Sequence, residues 1–387
     1  MKRVYLDNNS TTPLDPRVAI ALEPFLKDVF GNPSNLHFFG RMCAESLAEA
    51  REQVAAFLGA APEEVYFTSG GTEANNWALK GVAFAHEARG RHIVTSPIEH
   101  SSVLSTCQYL AENGWRITYL PVDRFGLIDP EDVRRAITKE TVLVSVMLAN
   151  NENGTIEPVK EIAAICQKTG VLFHTDAVAA VGKIPVQVKE LGVDLLTISG
   201  HKLHAPKGTG VLYIRNGIEI LPLIHGGHQE RGLRAGTENV LGIIGLGTSC
   251  KVLAQEWPTQ AATMKRLRDR FEQLVLSRIP EVRLNGHPTK RVPNVAHFSI
   301  GYVEGEALVM NLDLEGVAVA SGSACASGEA EPSPTLRALR LEPIFANSPV
   351  RFSFGKDNTD EDVDFAFAAL ERVVQRLRAI SPLWQGR

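Results

Sequence analysis

Val171-Leu-Phe-His-Thr-Asp-Ala177 and Leu195-Leu-Thr-Ile-Ser-Gly-His-Lys-Leu-His204 are the stretches on which the fold reading turns. Each begins as a short apolar run and stops on polar residues. The segment before the first carries Val159, Ile162, Ala163 and Cys166 at helical spacing and closes on Gly170. A helical period followed by a compact apolar run is the signature of a helix feeding a buried strand. Outward from there the pattern repeats. Apolar runs stand at 92–96, 117–122 and 142–148, Asp15-Pro16 and Asp129-Pro130 read as N-caps with proline at the first helical position, and Gly59 and Gly114 close further helical segments. This alternation predicts an α/β fold, with a mostly parallel sheet between helices. In such sheets ligands gather where the strands end, at the carboxyl edge.

Near Trp257 the pattern changes, and a charged helical stretch at 262–278 leads into shorter elements. The expectation is a large domain over 15–255 and a smaller α+β domain made from 1–14 and 256–387. With 387 residues, 44% hydrophobic and 22% charged, the chain reads as a soluble globular protein. Its formal net charge of −4 offers no basic surplus for nucleic acid or an anionic membrane surface. The N-terminus, Met1-Lys-Arg-Val-Tyr-Leu-Asp7, reaches an acidic residue too early for a signal sequence, so a cytoplasmic protein is expected. Five cysteines, with no Cys-x-x-Cys pair, argue against a disulfide framework or a zinc site.

The residues just after each run carry the chemistry. Thr68-Ser-Gly-Gly-Thr-Glu73 opens a helix, and glycines there bare backbone N–H groups to an anion. The same residues also make an ordinary capping turn. His100 follows the run at 92–96, and Asn150-Asn-Glu-Asn-Gly154 follows the run at 142–148. Asp176 ends an apolar run, where a carboxylate needs a partner, either the next helix or a cationic ligand atom. Lys202 follows another, flanked by Ser199 and His201. Burial lowers a lysine pKa and suits it to carbonyl chemistry, although one lysine alone is more simply a surface or ion-paired group. An anion cradle, a histidine, a carboxylate and a lysine on one sheet edge are what pyridoxal phosphate requires.

At these residues the sequence resembles the cysteine desulfurases of the NifS/IscS type, within the fold-type I pyridoxal phosphate enzymes. The resemblance runs from Tyr5-Leu-Asp-Asn-Asn-Ser-Thr-Thr12 to Arg351-Phe-Ser-Phe354 and is most specific at Thr68-Ser-Gly-Gly-Thr-Glu-Ala-Asn75, Ser199-Gly-His-Lys202, Arg234-Ala-Gly-Thr-Glu-Asn239 and Ser321-Gly-Ser-Ala-Cys325. It implies Lys202 as the lysine that takes the cofactor aldehyde and moves the Cα proton, His100 as a catalytic residue stacked on the ring with an acid/base role toward the substrate, and Asp176 as the partner of the pyridine nitrogen. It implies Gly71, Thr72, Ser199 and His201 as phosphate ligands, with Thr237 reaching the phosphate of the other subunit in a homodimer. Asn151 would contact the ring hydroxyl or the substrate, and Arg351 would clamp the substrate carboxylate.

Cys325, among small residues in the smaller domain, would be the nucleophile that becomes a persulfide and hands sulfur to an acceptor such as an iron–sulfur scaffold or a thiolation relay. No resident metal site is implied, beyond a transient cluster contact at Cys325. One residue departs from the family pattern: Ala179 stands where a glutamine usually contacts the ring hydroxyl. The competing expectations are a selenocysteine lyase, an aminotransferase with no need of Cys325, and an inactive scaffold on the same fold.

Overall fold

The computed structural model describes residues 2–322 and 332–384. A seven-stranded sheet forms its larger part, in the order Val65–Thr68, Gly210–Ile214, Leu195–Ser199, Leu172–Asp176, Thr141–Ser145, His92–Thr95 and Arg116–Tyr119. Gly210–Ile214 runs antiparallel to both neighbours, and every other pairing in the sheet is parallel. The strands Leu195–Ser199 and Thr141–Ser145 are buried along their whole length. A strand covered on both faces needs a continuous apolar run rather than alternation, which is why these runs were readable. The antiparallel strand was not foreseen, because Gly210-Val-Leu-Tyr-Ile214 follows the lysine loop without the helix that a parallel crossover would need.

Two hydrophobic clusters lie on opposite faces of this sheet. One gathers Phe67, Val144, Phe173, Leu196 and Ile198 with Leu47, Val54 and Leu246. The other gathers Ile93, Leu143, Leu195 and Leu212 with Trp77, Leu79, Val82 and Val103. Successive residues of one strand, Leu195 and Leu196, go to different clusters, as the two-residue period of a strand requires. A third cluster belongs to the remaining elements: Phe271, Phe298, Phe352 and Phe354 pack with Val4, Leu6, Leu308 and Leu370. There the sheet is three-stranded and antiparallel, Pro349–Ser353, Val295–Ile300 and Val282–Leu284.

The helix Val240–Arg278 runs unbroken through the point near Trp257 where the sequence pattern changes, with Pro258 inside it. It lends Ile243, Leu246 and Leu253 to one core and Leu267, Phe271 and Val275 to another. The N-terminal strand Val4–Tyr5 pairs with Val317–Ala318, and Asp7 bridges to Ser353, so the first residues are stitched to the last third of the chain. Cys43, Cys107, Cys166 and Cys250 are buried free thiols, and the last three belong to the two clusters on the large sheet.

Candidate active site

Thr68, Thr95, Ser145, Asp176 and Ser199 are the last residues of five strands that point the same way, and they define one edge of the sheet. A cavity of about 240 Å³ opens there, lined on the sheet side by Gly71, Thr72, His100, Asp176, Ser199 and Lys202. Asn151, His201, Arg351 and Ala179 also reach it. Thr237 does not line it: this residue sits in a second cavity of about 250 Å³, beside Ser69, Gly208 and Arg234. Cys325 lies outside the described residues.

Lys202 ends a short 3-10 turn, Gly200–Lys202, directly after its strand. Its Nζ donates to the carbonyl oxygens of Asn9 at 2.5 Å and Ser10 at 2.6 Å. Burial, then the positive charges of Arg351 and Lys183, bring its pKa down from 10.5 to about 7. A large fraction of this lysine is therefore the free amine at neutral pH, the form that attacks an aldehyde. His201 is lowered to about 4 by burial and by Lys202, Lys207 and Lys183, and its Nδ1 lies 3.1 Å from Thr11 Oγ1. It is a neutral hydrogen-bonding group, not a cation.

Asp176 is buried at the end of its strand. Its Oδ1 accepts from the Val178 N–H at 2.9 Å and its Oδ2 from Asn75 Nδ2 at 2.7 Å. The helix Gly71–Ala85 starts from Gly70 with no side-chain cap. Its first N–H groups and the positive end of its dipole thus face the cavity rim. Close approach makes this possible: a Cβ on Gly210 would sit 2.7 Å from the Gly70 backbone, so only glycine lets the antiparallel strand pass the turn. His100 caps the helix Ser101–Glu112 and accepts from the Ser102 N–H.

The opposite wall comes from the N-terminal segment and the smaller sheet. Arg351 is almost wholly buried. Its Nη1 donates to the Asn151 carbonyl at 2.8 Å, and its Nη2 to Asp7 Oδ1 at 2.9 Å and Ser10 Oγ at 2.7 Å. Its Nε is buried without a partner among the described residues. Asn9 Nδ2 donates to the same Asn151 carbonyl at 2.6 Å. Asp7, Asn9 and Ser10 were not singled out from the sequence. The available signal was a polar run, Asp7 to Thr12, placed straight after the apolar Val4-Tyr-Leu6. Asn75 and Ser102 were also missed; Asn75 shares the buried helix face of Ala78, Leu79 and Val82, where a polar side chain needs a reason.

The donor set suits pyridoxal phosphate. A buried carboxylate is available to a protonated ring nitrogen, and an uncapped helix start with Ser199 and a neutral His201 to a phosphate. The amine of Lys202 faces the same space as both. Ala179 lines the cavity as well and brings no hydrogen-bonding side chain.

Comparison with known proteins gives a consistent result. The model of the class-V aminotransferases matches residues 4–365. The protein from Dictyoglomus turgidum named cysteine desulfurase IscS is 52% identical over 386 residues, covering 100% of this chain and 98% of that one. That of Methanosarcina thermophila, of the same name, is 47% identical and covers 99% and 94%. Among solved structures, a NifS-like protein superposes with a TM-score of 0.91 at 38% identity, covering 97% of this chain and 100% of its own. A structure titled SspA in complex with cysteine gives 0.81 at 32% identity, covering 92% and 99%.

Proposed function

The chain belongs to the class-V aminotransferase family, and on that premise we propose that it is a cysteine desulfurase that uses pyridoxal phosphate held on Lys202. The observation that carries the reading is the convergence of Lys202, Asp176, His100 and the uncapped helix start on one cavity. The full-length likeness to proteins named cysteine desulfurase supports it.

When bound, the cofactor supplies an electron sink that stabilises negative charge at the substrate Cα. The rest falls to the chain. Asp176, fixed by Val178 and Asn75, keeps the ring nitrogen protonated. Lys202, with its lowered pKa, takes the Cα proton of L-cysteine and later returns one. Arg351 receives the substrate carboxylate, using the second Nη1 hydrogen or displacing Asp7 and Ser10. Asn151 and the phosphate ligands Gly71, Thr72, Ser199 and His201 hold cofactor and substrate in register. The Cys325 thiolate attacks the substrate sulfur, the carbon–sulfur bond breaks, and L-cysteine plus enzyme thiol become L-alanine plus enzyme persulfide. A thiolate is required because the thiol is a poor nucleophile.

A homodimer in which Thr237 serves the partner's phosphate is part of the proposal, and the separation of Thr237 from its own chain's cavity supports it. Transfer of the persulfide sulfur to an acceptor protein, and a cytoplasmic location, complete it. No helix among the described residues is long and apolar enough to cross a membrane.

The test is L-alanine and persulfide detection with L-cysteine, on wild type and Cys325→Ser loaded with cofactor. The wild type is expected to give both products and the variant neither above background. No alanine from loaded wild type would sink the reading, and full activity in the variant would point to a lyase or aminotransferase.

A further inference from the structure

His100 belongs to a chain of hydrogen bonds that starts at Asp176. Asn75 Nδ2 donates to Asp176 Oδ2 at 2.7 Å and also reaches Ser102 Oγ at 2.8 Å. Ser102 Oγ lies 2.8 Å from His100 Nδ1, and the Ser102 backbone N–H donates to that same Nδ1 at 3.2 Å. Asn75 is 1% exposed and Ser102 is 7% exposed, so water does not compete for these groups.

The direction of each bond follows from which atoms can donate. A carboxylate only accepts, so Asn75 turns its amide NH2, not its oxygen, toward Asp176. This orientation leaves Asn75 Oδ1 buried without a partner among the described residues. An unpaired buried oxygen is costly, so the carboxylate is imposing the orientation against that cost. One amide hydrogen goes to Asp176 and the other to Ser102 Oγ, which therefore accepts. The hydroxyl hydrogen is then available to His100 Nδ1. A backbone N–H can only donate, so Nδ1 is an acceptor on that count as well. A neutral imidazole whose Nδ1 accepts carries its proton on Nε2.

We propose that Asn75 and Ser102 are positioning residues that tie His100 to Asp176 and lock it as the Nε2–H tautomer. His100 then meets the substrate as a hydrogen-bond donor through Nε2, and the base that moves the Cα proton is left to Lys202. The inference rests on the desulfurase reading for its catalytic meaning, but the tautomer is a property of the chain alone.

The test starts from cofactor-free protein labelled with ¹⁵N-histidine, with the His100 signals assigned by their loss in His100→Gln. Wild type is expected to show Nδ1 as a bare nitrogen and Nε2 as an N–H. Ser102→Ala is expected to move the Nδ1 resonance and Ser102→Thr to restore it. In loaded enzyme, Ser102→Ala is expected to lower kcat for alanine formation about 5- to 10-fold, the effect of one lost hydrogen bond, with KM for L-cysteine within about twofold and rescue by Ser102→Thr. A proton on Nδ1 in wild type, or superimposable spectra for wild type and Ser102→Ala, would overturn the proposal. If no variant forms alanine while the resonances behave as described, the desulfurase reading fails and the tautomer assignment stands.

Discussion

On one wall of the cavity, Asp176, Ser199 and Lys202 sit at or just beyond strand ends, and Gly71 and His100 sit at helix starts. On the other wall, Arg351 meets Asp7 across 344 residues of sequence, and Asn9 and Ser10 are held by side-chain and carbonyl contacts rather than by a sheet. The main chain of the first wall is positioned by buried strands and helix starts, so its backbone stays in place when Lys202 is changed, although Asp176 and His100 are linked through Asn75 and Ser102. On the second wall Arg351 is held by its strand, but Asp7, Asn9 and Ser10 depend on polar contacts, so removing Arg351 takes a partner from Asp7 and Ser10. Lys202 stands at the seam, rooted in the sheet and bonded to the carbonyls of Asn9 and Ser10.

The contrast can be broken most forcefully at Lys202. Lys202→Ala should cut alanine formation by about a thousandfold or more, since both the cofactor anchor and the base are lost. Its thermal unfolding should stay close to wild type. A large loss of stability would mean that the sheet wall depends on its side chains after all. Arg351→Ala should behave differently and lose both properties. It is expected to lower kcat/KM about a hundredfold, chiefly through KM, and stability by about 3 kcal/mol, because Asp7 is left without its cation. Parallel urea titrations and kinetics on the two variants would separate the walls; unchanged stability in Arg351→Ala would erase the distinction.

Behind the sheet wall, Glu99 accepts from the Met147 N–H at 3.0 Å and from Ser96 Oγ at 2.6 Å, and burial raises its pKa to about 8. The folded protein thus keeps a proton that the unfolded chain releases near pH 4.5. The stability from that proton is full below pH 4.5 and is lost as pH rises through about 8. Glu99→Gln removes the dependence. Relative to wild type, the variant should gain about 3–4 kcal/mol between pH 5 and pH 8, read from urea unfolding across that range. A constant difference would show that Glu99 does not carry the proton. The smallest effect is expected at Ala179. Restoring the side chain with Ala179→Gln should shift the pH midpoint of the loaded enzyme's absorbance by about half a unit, and superimposable titrations would remove any role for this departure.

The same division governs what the sequence disclosed. Asp176 and Lys202 were legible because an apolar run must end somewhere, and the residue after it lies at a known edge. The parallel sheet was legible because strands buried on both faces cannot alternate. The strand Gly210–Ile214 was not, since its direction follows from the short connection after the lysine loop rather than from its own composition. Arg351 and Thr237 entered through family resemblance, and so did the role of Asn151, although its polar cluster after the run at 142–148 was visible. Asp7, Asn9 and Ser10 escaped both routes to a role, because contacts between the first ten residues and position 351 leave no local period. Asn75 and Ser102 act through other side chains, and nothing in their spacing reports what those side chains are.

Two lysines test the central claim. Lys183 is buried and Lys202 half-buried, both have lowered pKa values, about 8 and about 7, and they line a common small cavity. Only Lys202 also faces the larger cavity with Asp176 and the helix start. Borohydride reduction of the cofactor-loaded protein, followed by peptide mass mapping, should place the pyridoxyl group on Lys202 and leave Lys183 unmodified. A pyridoxyl group on Lys183, or on any lysine other than Lys202, would contradict the account.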